Sequence, residues 1–301
     1  MNAASVFFRV MNAFGKPIIM NVSDRIDEIR VDISRLKSEG KRIGFVPTMG
    51  ALHSGHLGLI ELAKKNSDIV VVSIFVNPEQ FGPNEDFDRY PRQLKDDLEK
   101  CRSAGVDLVF TPERSEIYDE KKFLKIGIDK LSDHMCGGSR PGFFEGVLLV
   151  VNKLFNIVTP DIAVFGQKDI QQFQIISKMV KEFNHPVELI MAPIARANDG
   201  LALSSRNAYL SDQERKAAPG LYRCLQYIEK QIQSGVDTPK LLIEHQKGEL
   251  EAKGFKIDYL NVFDSKTLEP SETLREGNNY ILAGAIWLGK TRLIDNILIE
   301  F

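Results

Sequence analysis

Apolar residues along the first two thirds of the chain follow two alternating patterns. Short continuous apolar runs are typical of strands buried on both faces of a parallel sheet, and apolar residues recurring every three or four positions are typical of helices. The predicted strands cover residues 41–47, 68–78, 106–112, 161–166 and 187–193. The predicted helices between them cover residues 56–66, 94–105, 147–158 and 169–183. Their strict alternation predicts an α/β fold with a Rossmann-like, doubly wound parallel sheet.

The pattern changes after about residue 195. Two amphipathic helices and then three short strands are predicted there, over residues 211–235, 239–254, 255–263, 279–289 and 291–301. This order favours a smaller α+β unit. We therefore expect a Rossmann-like domain over residues 1–194 and a smaller C-terminal lid domain over residues 195–301. Residues 1–16 are interpreted as an extension that precedes the fold.

The composition is that of an ordinary globular protein. Of 301 residues, 43% are hydrophobic and 27% charged, and the formal net charge of -2 gives no general affinity for nucleic acid or acidic membranes. Three scattered cysteines without a CxxC pair argue against a disulfide framework and favour the reducing cytoplasm. No apolar run reaches the roughly 18 residues expected of a membrane span.

A phosphate-loop pattern occurs near the end of the chain, at residues 284–291 (GAIWLGKT). Such a loop needs a following helix that points its N-terminus at the bound phosphate. Residues 292–301 instead have the pattern of a last strand, and bulky Trp287 would crowd a phosphate. We therefore predict a hairpin corner between two antiparallel strands at this position.

The first β-to-α loop concentrates candidate chemistry, in the segment PTMGALHSGHLGLI at residues 47–60. Open parallel sheets bind ligands beyond the carboxyl ends of their strands. His53 and His56 are three positions apart at the start of the predicted helix, and Gly50 and Gly55 leave bare backbone beside them. Two imidazoles at a helix N-terminus can reach a phosphate that undergoes substitution.

Two other interpretations of the histidine pair stay open. Zinc generally takes three or four protein ligands, and His134 and Cys136 would join His53 and His56 only if the fold brought them together. The pair could also be two surface histidines at a helix start, without a ligand.

Further polar residues occupy similar places along the chain. Lys168 opposes the dipole of the helix that it precedes, so a bound phosphate would explain it, and Asp169 can cap that helix. Hydroxyl and guanidinium groups in the junction segment at residues 199–210 suit a mobile phosphate-binding lid. The remaining candidates follow a strand, share a helix face or lie in a loop: Asn77, Gln80, Asp96, Asp97, Arg140, Gln172, Ser204, Ser205 and Arg206.

Taken in order, these blocks resemble the pantothenate synthetase (pantoate–β-alanine ligase) family. Five segments carry the resemblance: GFVPTMGALHSGHLGLI, SIFVNPEQFGPNEDFDRYPR, SRPGFFEGV, FGQKDIQQF and DGLALSSRNAYLS. The closing GKTRLIDN is also similar to the C-terminal segment of that family. The HxGH motif alone occurs across nucleotidyltransferases and class I aminoacyl-tRNA synthetases. Five blocks in the same order are far more specific, and the resemblance covers residues 17–301.

The resemblance implies a two-step ligation of small molecules by a homodimer, and composition and charge predict a cytoplasmic protein without nucleic-acid or membrane partners. The pantoate carboxylate attacks the α-phosphate of ATP, and β-alanine then attacks the pantoyl adenylate to give pantothenate and AMP. Mg²⁺ is expected with ATP. Charge develops on phosphate oxygens in the first step, so cationic groups and positioning are the expected contribution of the protein.

The resemblance also implies roles for individual residues, with His56 as the usual proton donor and Asp169 placed for the ribose. The residues implied in ATP binding are Pro47, Met49, Gly50, Ala51, Leu52, His53, Ser54, Gly55, His56, Phe165, Gly166, Gln167, Lys168, Asp169, Ala195, Leu203, Ser204, Ser205 and Arg206. Those implied in pantoate binding are Met49, Asn77, Gln80, Arg140 and Gln172, with Gln80 also implied for β-alanine. Those implied in catalysis are His53, His56, Lys168, Ser204, Ser205 and Arg206, and those implied in metal binding are Asp96 and Asp97.

Three residues depart from the usual pattern of that family. Leu203 stands where Met is common, Ala195 where Val is common and Gln167 where Glu is common. All three neighbour residues implied in nucleotide binding, so these departures bear on nucleotide affinity more than on the reaction.

Two alternative functions remain in view. One is another HxGH nucleotidyltransferase acting on a phosphorylated substrate; the amides of Gln80 and Gln172 favour a neutral polyol acid over a phosphate ester. The other is a non-catalytic binding module that has kept the fold. The residues that argue against it are His53, His56, Lys168 and Arg206.

Overall fold

The computed structural model describes residues 9–11, 17–83, 85–121 and 123–301. Contacts divide the chain into two compact units. The first unit consists of Met1–Gly127, Glu145–Gly166 and Ile176–Ala192. The second consists of Ile128–Phe144, Gln167–Ile175 and Pro193–Phe301. The second unit thus includes two segments that precede residue 193 in the chain.

A parallel six-stranded sheet forms the centre of the first unit. A short antiparallel pair precedes it, formed by β1 (Arg9–Met11) and β2 (Pro17–Ile19). The sheet strands are β3 (Asn21–Ser23), β4 (Ile43–Thr48), β5 (Ile69–Ile74), β6 (Leu108–Phe110), β7 (Ile162–Gly166) and β8 (Glu188–Ala192). Their order is β3-β6-β5-β4-β7-β8, and neighbouring strands are parallel. The α/β prediction is confirmed.

The helices of this part of the chain alternate with the strands. They are α1 (Ile26–Ser38), α2 (Ser54–Asn66), α3 (Leu94–Ala104), α4 (Arg114–Ile117), α5 (Met135–Ser139), α6 (Phe143–Val158) and α7 (Ile170–Glu182). Strand residues such as Val46, Val72 and Ile162 pack with Ile60 and Ala63 of α2 in one buried cluster. The continuous apolar strands are therefore covered by helices, and the loops at the strand ends follow buried, paired strands.

The strand order reverses beside β4, which is a topological switch point. Strand β4 pairs with β5 along its whole length, from Ile43 to Thr48, but pairs with β7 only at Gly44 and Phe45. Pro47, which has no N–H to donate, lies beyond the last pair with β7 and is tolerated there for that reason. Ligands of doubly wound sheets bind in the crevice that opens at such a point.

The second unit contains an antiparallel sheet and helices. Its strands are β9 (Lys256–Asp264), β10 (Asn279–Leu288) and β11 (Thr291–Glu300), in the order β11-β10-β9. Its C-terminal helices are α8 (Asp212–Ala217), α9 (Gly220–Gln233) and α10 (Lys240–Ala252). Leu225 and Ile228 of α9 are buried in one cluster with Leu282 and Ile286 of β10. This arrangement confirms the predicted α+β character of the C-terminal part.

The phosphate-loop pattern at residues 284–291 is a hairpin, as predicted. Leu288 pairs with Thr291 across a two-residue turn, and Gly289 has a φ of 57° at its first central position. Gly284 lies inside β10, where a Cβ would approach Leu221 Cδ1 of α9 to 2.8 Å. Both glycines are therefore explained by turn geometry and helix packing.

Because Lys290 is an exposed residue of this turn, we expect Lys290→Ala to leave turnover unchanged. The free energy of unfolding should change by less than about 0.5 kcal/mol, as for most surface substitutions. Steady-state kinetics and urea denaturation check this. A large rise in the KM for ATP with the fold intact would restore the phosphate-loop interpretation.

Some elements differ from the sequence-based expectation. The single helix predicted over residues 211–235 is wrong: α8 ends at Ala217 and α9 begins at Gly220, because Pro219 cannot continue a helical hydrogen-bond ladder. Helix α1 and strand β3 were not predicted. The extension predicted at residues 1–16 falls largely outside the described residues, although Arg9–Met11 pairs with Pro17–Ile19. Among the described residues, none of the helices combines the length and apolarity needed to cross a bilayer.

Candidate active site

The predicted site residues are divided between the two units. The first unit holds the β4–α2 loop, Phe165 and Gly166 at the end of β7, and Asn77, Gln80, Asp96 and Asp97. The second unit holds Arg140, Gln167, Lys168, Asp169, Gln172, Ala195, Leu203, Ser204, Ser205 and Arg206.

The β4–α2 loop is held by a buried carboxylate from α3. Asp97 accepts hydrogen bonds from the backbone N–H groups of Ala51 at 2.9 Å and Leu52 at 2.8 Å, and Lys100 Nζ donates to Leu52 O at 2.7 Å. Gly50 has a φ of 78°, and a Cβ there would lie 3.0 Å from Asp97 Oδ2. Glycine is therefore favoured at position 50. The hydrogen bonds with Asp97 and Lys100 of α3 fix the conformation of the loop.

The two histidine side chains cap the N-terminus of α2, and each accepts one backbone N–H group. His53 is the N-cap, and its Nδ1 accepts the N–H of Gly55 at 3.1 Å. His56 Nδ1 accepts the N–H of His53 at 3.3 Å. This is a capping box built from imidazoles, with the two ring centroids 4.2 Å apart. The spacing of three residues therefore has a structural cause as well as a chemical one.

The capping bonds also fix where each imidazole carries its proton. A nitrogen that accepts an N–H is unprotonated, so Nδ1 is the acceptor in both rings. A neutral histidine then has its proton on Nε2. Both His53 and His56 thus present Nε2–H as a donor at a helix N-terminus, where the helix dipole also favours an anion.

We expect Asp97→Asn to loosen this loop. Hydrogen bonds to a charged acceptor contribute about 1.5–3 kcal/mol each, and an amide can accept from only one of the two N–H groups. The free energy of unfolding should fall by about 2 kcal/mol and the KM for ATP should rise. Urea denaturation and steady-state kinetics measure both.

Asp96→Asn is the matched control, because its carboxylate is exposed on the same turn of α3. Equal stability of the Asp97 variant, the Asp96 variant and the unchanged protein would contradict the anchoring role of Asp97.

Gln80 is oriented by a buried network. Asn77 Nδ2 donates to Gln80 Oε1 at 3.1 Å and to Gly146 O at 3.0 Å. Asn77 Oδ1 accepts from Tyr118 Oη at 2.8 Å and from the N–H of Glu79 at 3.2 Å. The hydrogen-bonding capacity of the Asn77 amide is therefore fully used by protein groups.

This network leaves Gln80 with a defined donor end. Because its Oε1 accepts from Asn77, its Nε2 points away, and it donates to Met49 Sδ at 2.9 Å. Burial, with the nearby Glu79 charge, raises the pKa of Tyr118, so its hydroxyl stays protonated and can donate to Asn77. The structure thus brings together Met49, Asn77 and Gln80, all predicted from sequence.

Sequence reasoning did not find Tyr118 or Gly146. A Cβ on Gly146 would lie 2.0 Å from Glu79 O, so only glycine lets α6 approach the turn that carries Gln80. Neither residue has a local pattern that signals this role, since each acts through a contact with a distant part of the chain.

Asp96 differs from Asp97 in its surroundings. It is exposed and lines a groove between α2 and α3 with Leu57, Lys64 and Lys100. Within the part of the chain that the structure describes, no three His, Cys, Asp or Glu side chains are grouped to hold a metal ion. The side chains of the described residues therefore do not form a preformed metal centre, and the metal-binding role of Asp96 and Asp97 stays a prediction.

In the second unit, Lys168 lies in a 3-10 turn, Gln167–Asp169, that leads directly into α7. Its Nζ is 3.8 Å from Asp169 Oδ1, and 21% of its side chain is exposed. Gln172 follows in the first turn of α7. The cation thus stands at the end of the helix where the dipole disfavours it, as predicted.

The serine-rich block follows a short antiparallel hairpin. The N–H of Leu203 donates to Ala195 O at 2.9 Å, and Arg196 is bridged to Ala202. Ser204 then caps the 3-10 helix Ser205–Tyr209, accepting the N–H of Arg206 at 3.3 Å. Two of the three departures from the family pattern, Ala195 and Leu203, are therefore backbone partners at the base of this block.

Arg140 lies at the end of α5 and stacks on Phe143, with its guanidinium carbon 3.6 Å from the ring centroid. The loop before it is held by Gln171, which was not singled out from sequence. The buried Gln171 side chain donates to Leu131 O and His134 O, both at 2.9 Å, and accepts the N–H of Gly137 at 3.3 Å. Gln171, which precedes Gln172 in α7, therefore stabilises the segment before Arg140.

Known proteins match this chain over nearly its whole length. A sequence profile described as pantoate-beta-alanine ligase matches residues 21–298. A pantothenate synthetase of Thermoanaerobacter sp. (strain X514) is 50% identical over 280 residues, covering 93% of this chain and 98% of the relative. One of Pseudomonas putida (strain GB-1) is 48% identical over 283 residues, covering 93% and 98%.

Solved structures agree with the sequence comparisons. Pantothenate synthetase from Thermus thermophilus has a TM-score of 0.84 at 41% identity, covering 92% of this chain and 98% of that chain. Pantoate-beta-alanine ligase from Francisella tularensis, complexed with beta-gamma ATP and beta-alanine, has a TM-score of 0.77 at 36% identity, covering 93% and 97%. This chain therefore belongs to the pantoate–β-alanine ligase family and is a ligase that forms a carbon–nitrogen bond.

Proposed function

We propose that this protein condenses pantoate with β-alanine at the expense of ATP, through a pantoyl-adenylate intermediate. A pantoate carboxylate oxygen forms a bond to the α-phosphorus, and the bond from that phosphorus to pyrophosphate breaks. The β-alanine amine then forms a bond to the acyl carbon, AMP leaves with the bridging oxygen, and the amine gives up a proton. The imidazole capping box at the start of α2 is the observation that carries this proposal.

The histidines act on the phosphates in this proposal. Each imidazole presents an Nε2–H donor, and donors aimed at developing negative charge accelerate phosphoryl and adenylyl transfer. Because capping fixes both rings, they need no reorganisation when charge develops. In this proposal the Nε2–H of His56 donates a hydrogen bond to the departing pyrophosphate. The loop from Pro47 to Gly55, with Gly50, Ala51, Leu52 and Ser54, and the end of β7 at Phe165 and Gly166 bind the nucleotide.

Gln80 and Gln172 hold pantoate. The amide nitrogen of Gln80 is the end that the Asn77 network presents as a donor, which suits a carboxylate or hydroxyl oxygen. Because the Asn77 amide has no hydrogen-bonding capacity left over, we assign Asn77 an indirect role, through Gln80. Met49 borders pantoate beside Gln80, Gln80 also meets β-alanine, and Arg140 attracts the anionic end of the substrates.

The second unit supplies cations and hydroxyls. Lys168, Ser204, Ser205 and Arg206 bind phosphate oxygens, and Asp169 binds the ribose. Gln167, Ala195 and Leu203 shape the surroundings of the nucleotide. A lysine placed against a helix dipole is explained by a phosphate that binds between them.

Mg²⁺ enters with ATP in this proposal, on its phosphate oxygens, as part of the substrate. The support is that both Asp97 oxygens accept backbone N–H groups. The Asp96→Asn variant tests the other assignment: an unchanged dependence of rate on Mg²⁺ concentration is expected.

The test of the function is an assay of AMP formation from pantoate, β-alanine, ATP and Mg²⁺, with pantothenate identified by mass spectrometry. AMP should appear only when both organic substrates are present. AMP formation independent of either substrate would overturn the proposal. Pyrophosphate release driven instead by a phosphorylated acceptor, without β-alanine, would establish another nucleotidyltransferase of the HxGH type.

We further propose a homodimer in the reducing cytoplasm. The cellular assignment is supported by Cys101, Cys136 and Cys224, which are all buried free thiols. The homodimer is carried over from the family resemblance. Light scattering coupled to gel filtration measures the mass, and a single species of monomer mass would contradict the homodimer.

A further inference from the structure

The turn that carries Lys168 is held by a buried asparagine from the last strand. Asn296 of β11 is 2% exposed. Its Nδ2 donates to Gln167 O at 3.0 Å and Lys168 O at 3.1 Å, and its Oδ1 accepts from Gln167 Nε2 at 3.2 Å. Three hydrogen bonds from one side chain thus fix both the backbone of the turn and one of its side chains.

Asp295, which precedes Asn296 in β11, holds the hairpin that leads to Ser204. Asp295 is 5% exposed and forms a two-bond ion pair with Arg196, at 2.5 and 2.8 Å. Arg196 also donates to Gly200 O at 3.0 Å and stacks on Tyr222, its guanidinium carbon 3.5 Å from the ring centroid. The planar guanidinium therefore locks the hairpin to β11 through several contacts at once.

Two consecutive residues can hold two different loops because successive strand side chains point to opposite faces of a sheet. The strand itself is fixed by its pairing with β10, where Asp295 lies opposite Gly284 and Asn296 opposite Ala283. The backbone N–H of Asn296 also donates to Asp295 Oδ1 at 2.8 Å, so the strand backbone orients the Asp295 carboxylate.

We propose that Asp295 and Asn296 are positioning residues, which set the Lys168 turn and the Ser204–Arg206 block in register with one another. This inference rests on the proposed ATP-binding role of those two segments. The two residues lie in the closing GKTRLIDN segment, which contacts no substrate in the proposed function. The inference therefore gives this segment a role in positioning the two loops. The common support of the two loops on β11 orders their backbones before ATP binds, which lowers the entropic cost of binding.

Asn296→Asp tests this inference with little change in shape. A carboxylate still accepts from Gln167 but cannot donate to the two carbonyl oxygens. We expect the KM for ATP to rise and kcat/KM to fall by about 100-fold, the size associated with a small misplacement of reacting groups. The KM for β-alanine should not change. Asn278→Asp is the matched control, because Asn278 is exposed in the same unit.

The pH profile of the Asn296→Asp variant distinguishes positioning from a general structural defect. Its buried carboxyl is protonated as the pH falls, and the resulting O–H donates to a carbonyl again. The ratio of variant to unchanged activity should therefore rise toward low pH. A ratio that stays constant across the profile would overturn the positioning role of this amide.

Hydrogen exchange adds a readout that does not depend on activity. In Asn296→Asp the backbone amides of residues 168–171 should exchange faster, and in Asp295→Asn those of residues 197–203 should do so, while amides in β4 and β5 keep their protection. Normal ATP kinetics and unchanged exchange in both variants would overturn the inference. Failure of the proposed function appears separately, as absence of AMP formation by the unchanged protein.

Discussion

Replacing His56 with glutamine is expected to lower kcat/KM by at least about 100-fold while leaving the fold and its stability unchanged. Glutamine is the residue that completes a capping box at this helix position, so its amide oxygen can still accept the N–H of His53. What is lost is the Nε2–H donor and its proton. Removal of one preorganised donor from a transition state costs on the order of 100- to 1,000-fold.

His56→Ala and His245→Gln complete this experiment. His56→Ala removes the cap as well, so it should lose activity and also about 1 kcal/mol of stability. His245 is exposed on α10, and its replacement should change neither quantity. Near-normal turnover of His56→Gln would show that the histidine serves as a helix cap only, in line with the alternative of two surface histidines without a ligand.

Replacing Lys168 with methionine is expected to lower turnover by orders of magnitude without destabilising the protein. Methionine keeps most of the aliphatic stem and removes the charge that we assign to the phosphates of ATP. The same charge opposes the dipole of α7 when no phosphate is bound, which costs about 0.3–1 kcal/mol. The variant should therefore have equal or slightly higher stability, measured by urea denaturation, while kcat falls.

Lys178→Met provides the matched control on the same helix. The Lys178 side chain is 53% exposed and forms an ion pair with Glu182, one helical turn further along α7. Its replacement should leave kcat and the KM for ATP unchanged. Loss of stability in Lys168→Met, with kcat retained in the folded fraction, would assign Lys168 a structural role and remove it from the phosphate site.

Local patterns were sufficient to predict the sheet, and they indicated the loops that we propose carry the chemistry. The strands at 43–48, 69–74 and 162–166 are continuous apolar runs because helices cover both faces of the sheet. Their burial can therefore be predicted from the residue types alone. The terminal GKT was separated from a phosphate loop by the absence of a helical pattern after it. The break before α9 was visible in principle at Pro219, but the amphipathic period continues across it and predicted one helix.

Contacts between distant segments could not be predicted in the same way. Asp97 looks like an exposed helix carboxylate beside Asp96, and only the packing of α3 against the β4–α2 loop makes it a buried acceptor for two backbone N–H groups. Asn77 looks like a substrate ligand until Tyr118 and Gly146 fill its hydrogen-bonding positions. The same holds for Asn296, 128 residues from Lys168 in the chain.

The sequence by itself determined the class of the fold and the family, and it indicated the segments that we propose bind the substrates, because these depend on periodicity and on short ordered motifs. The tertiary structure decided which polar side chains support those segments and which nitrogen of each imidazole carries the proton. The physical reason is that a buried polar group must find a hydrogen-bond partner. For Asp97, Asn77 and Asn296 that partner comes from a remote part of the chain, where no local pattern records it.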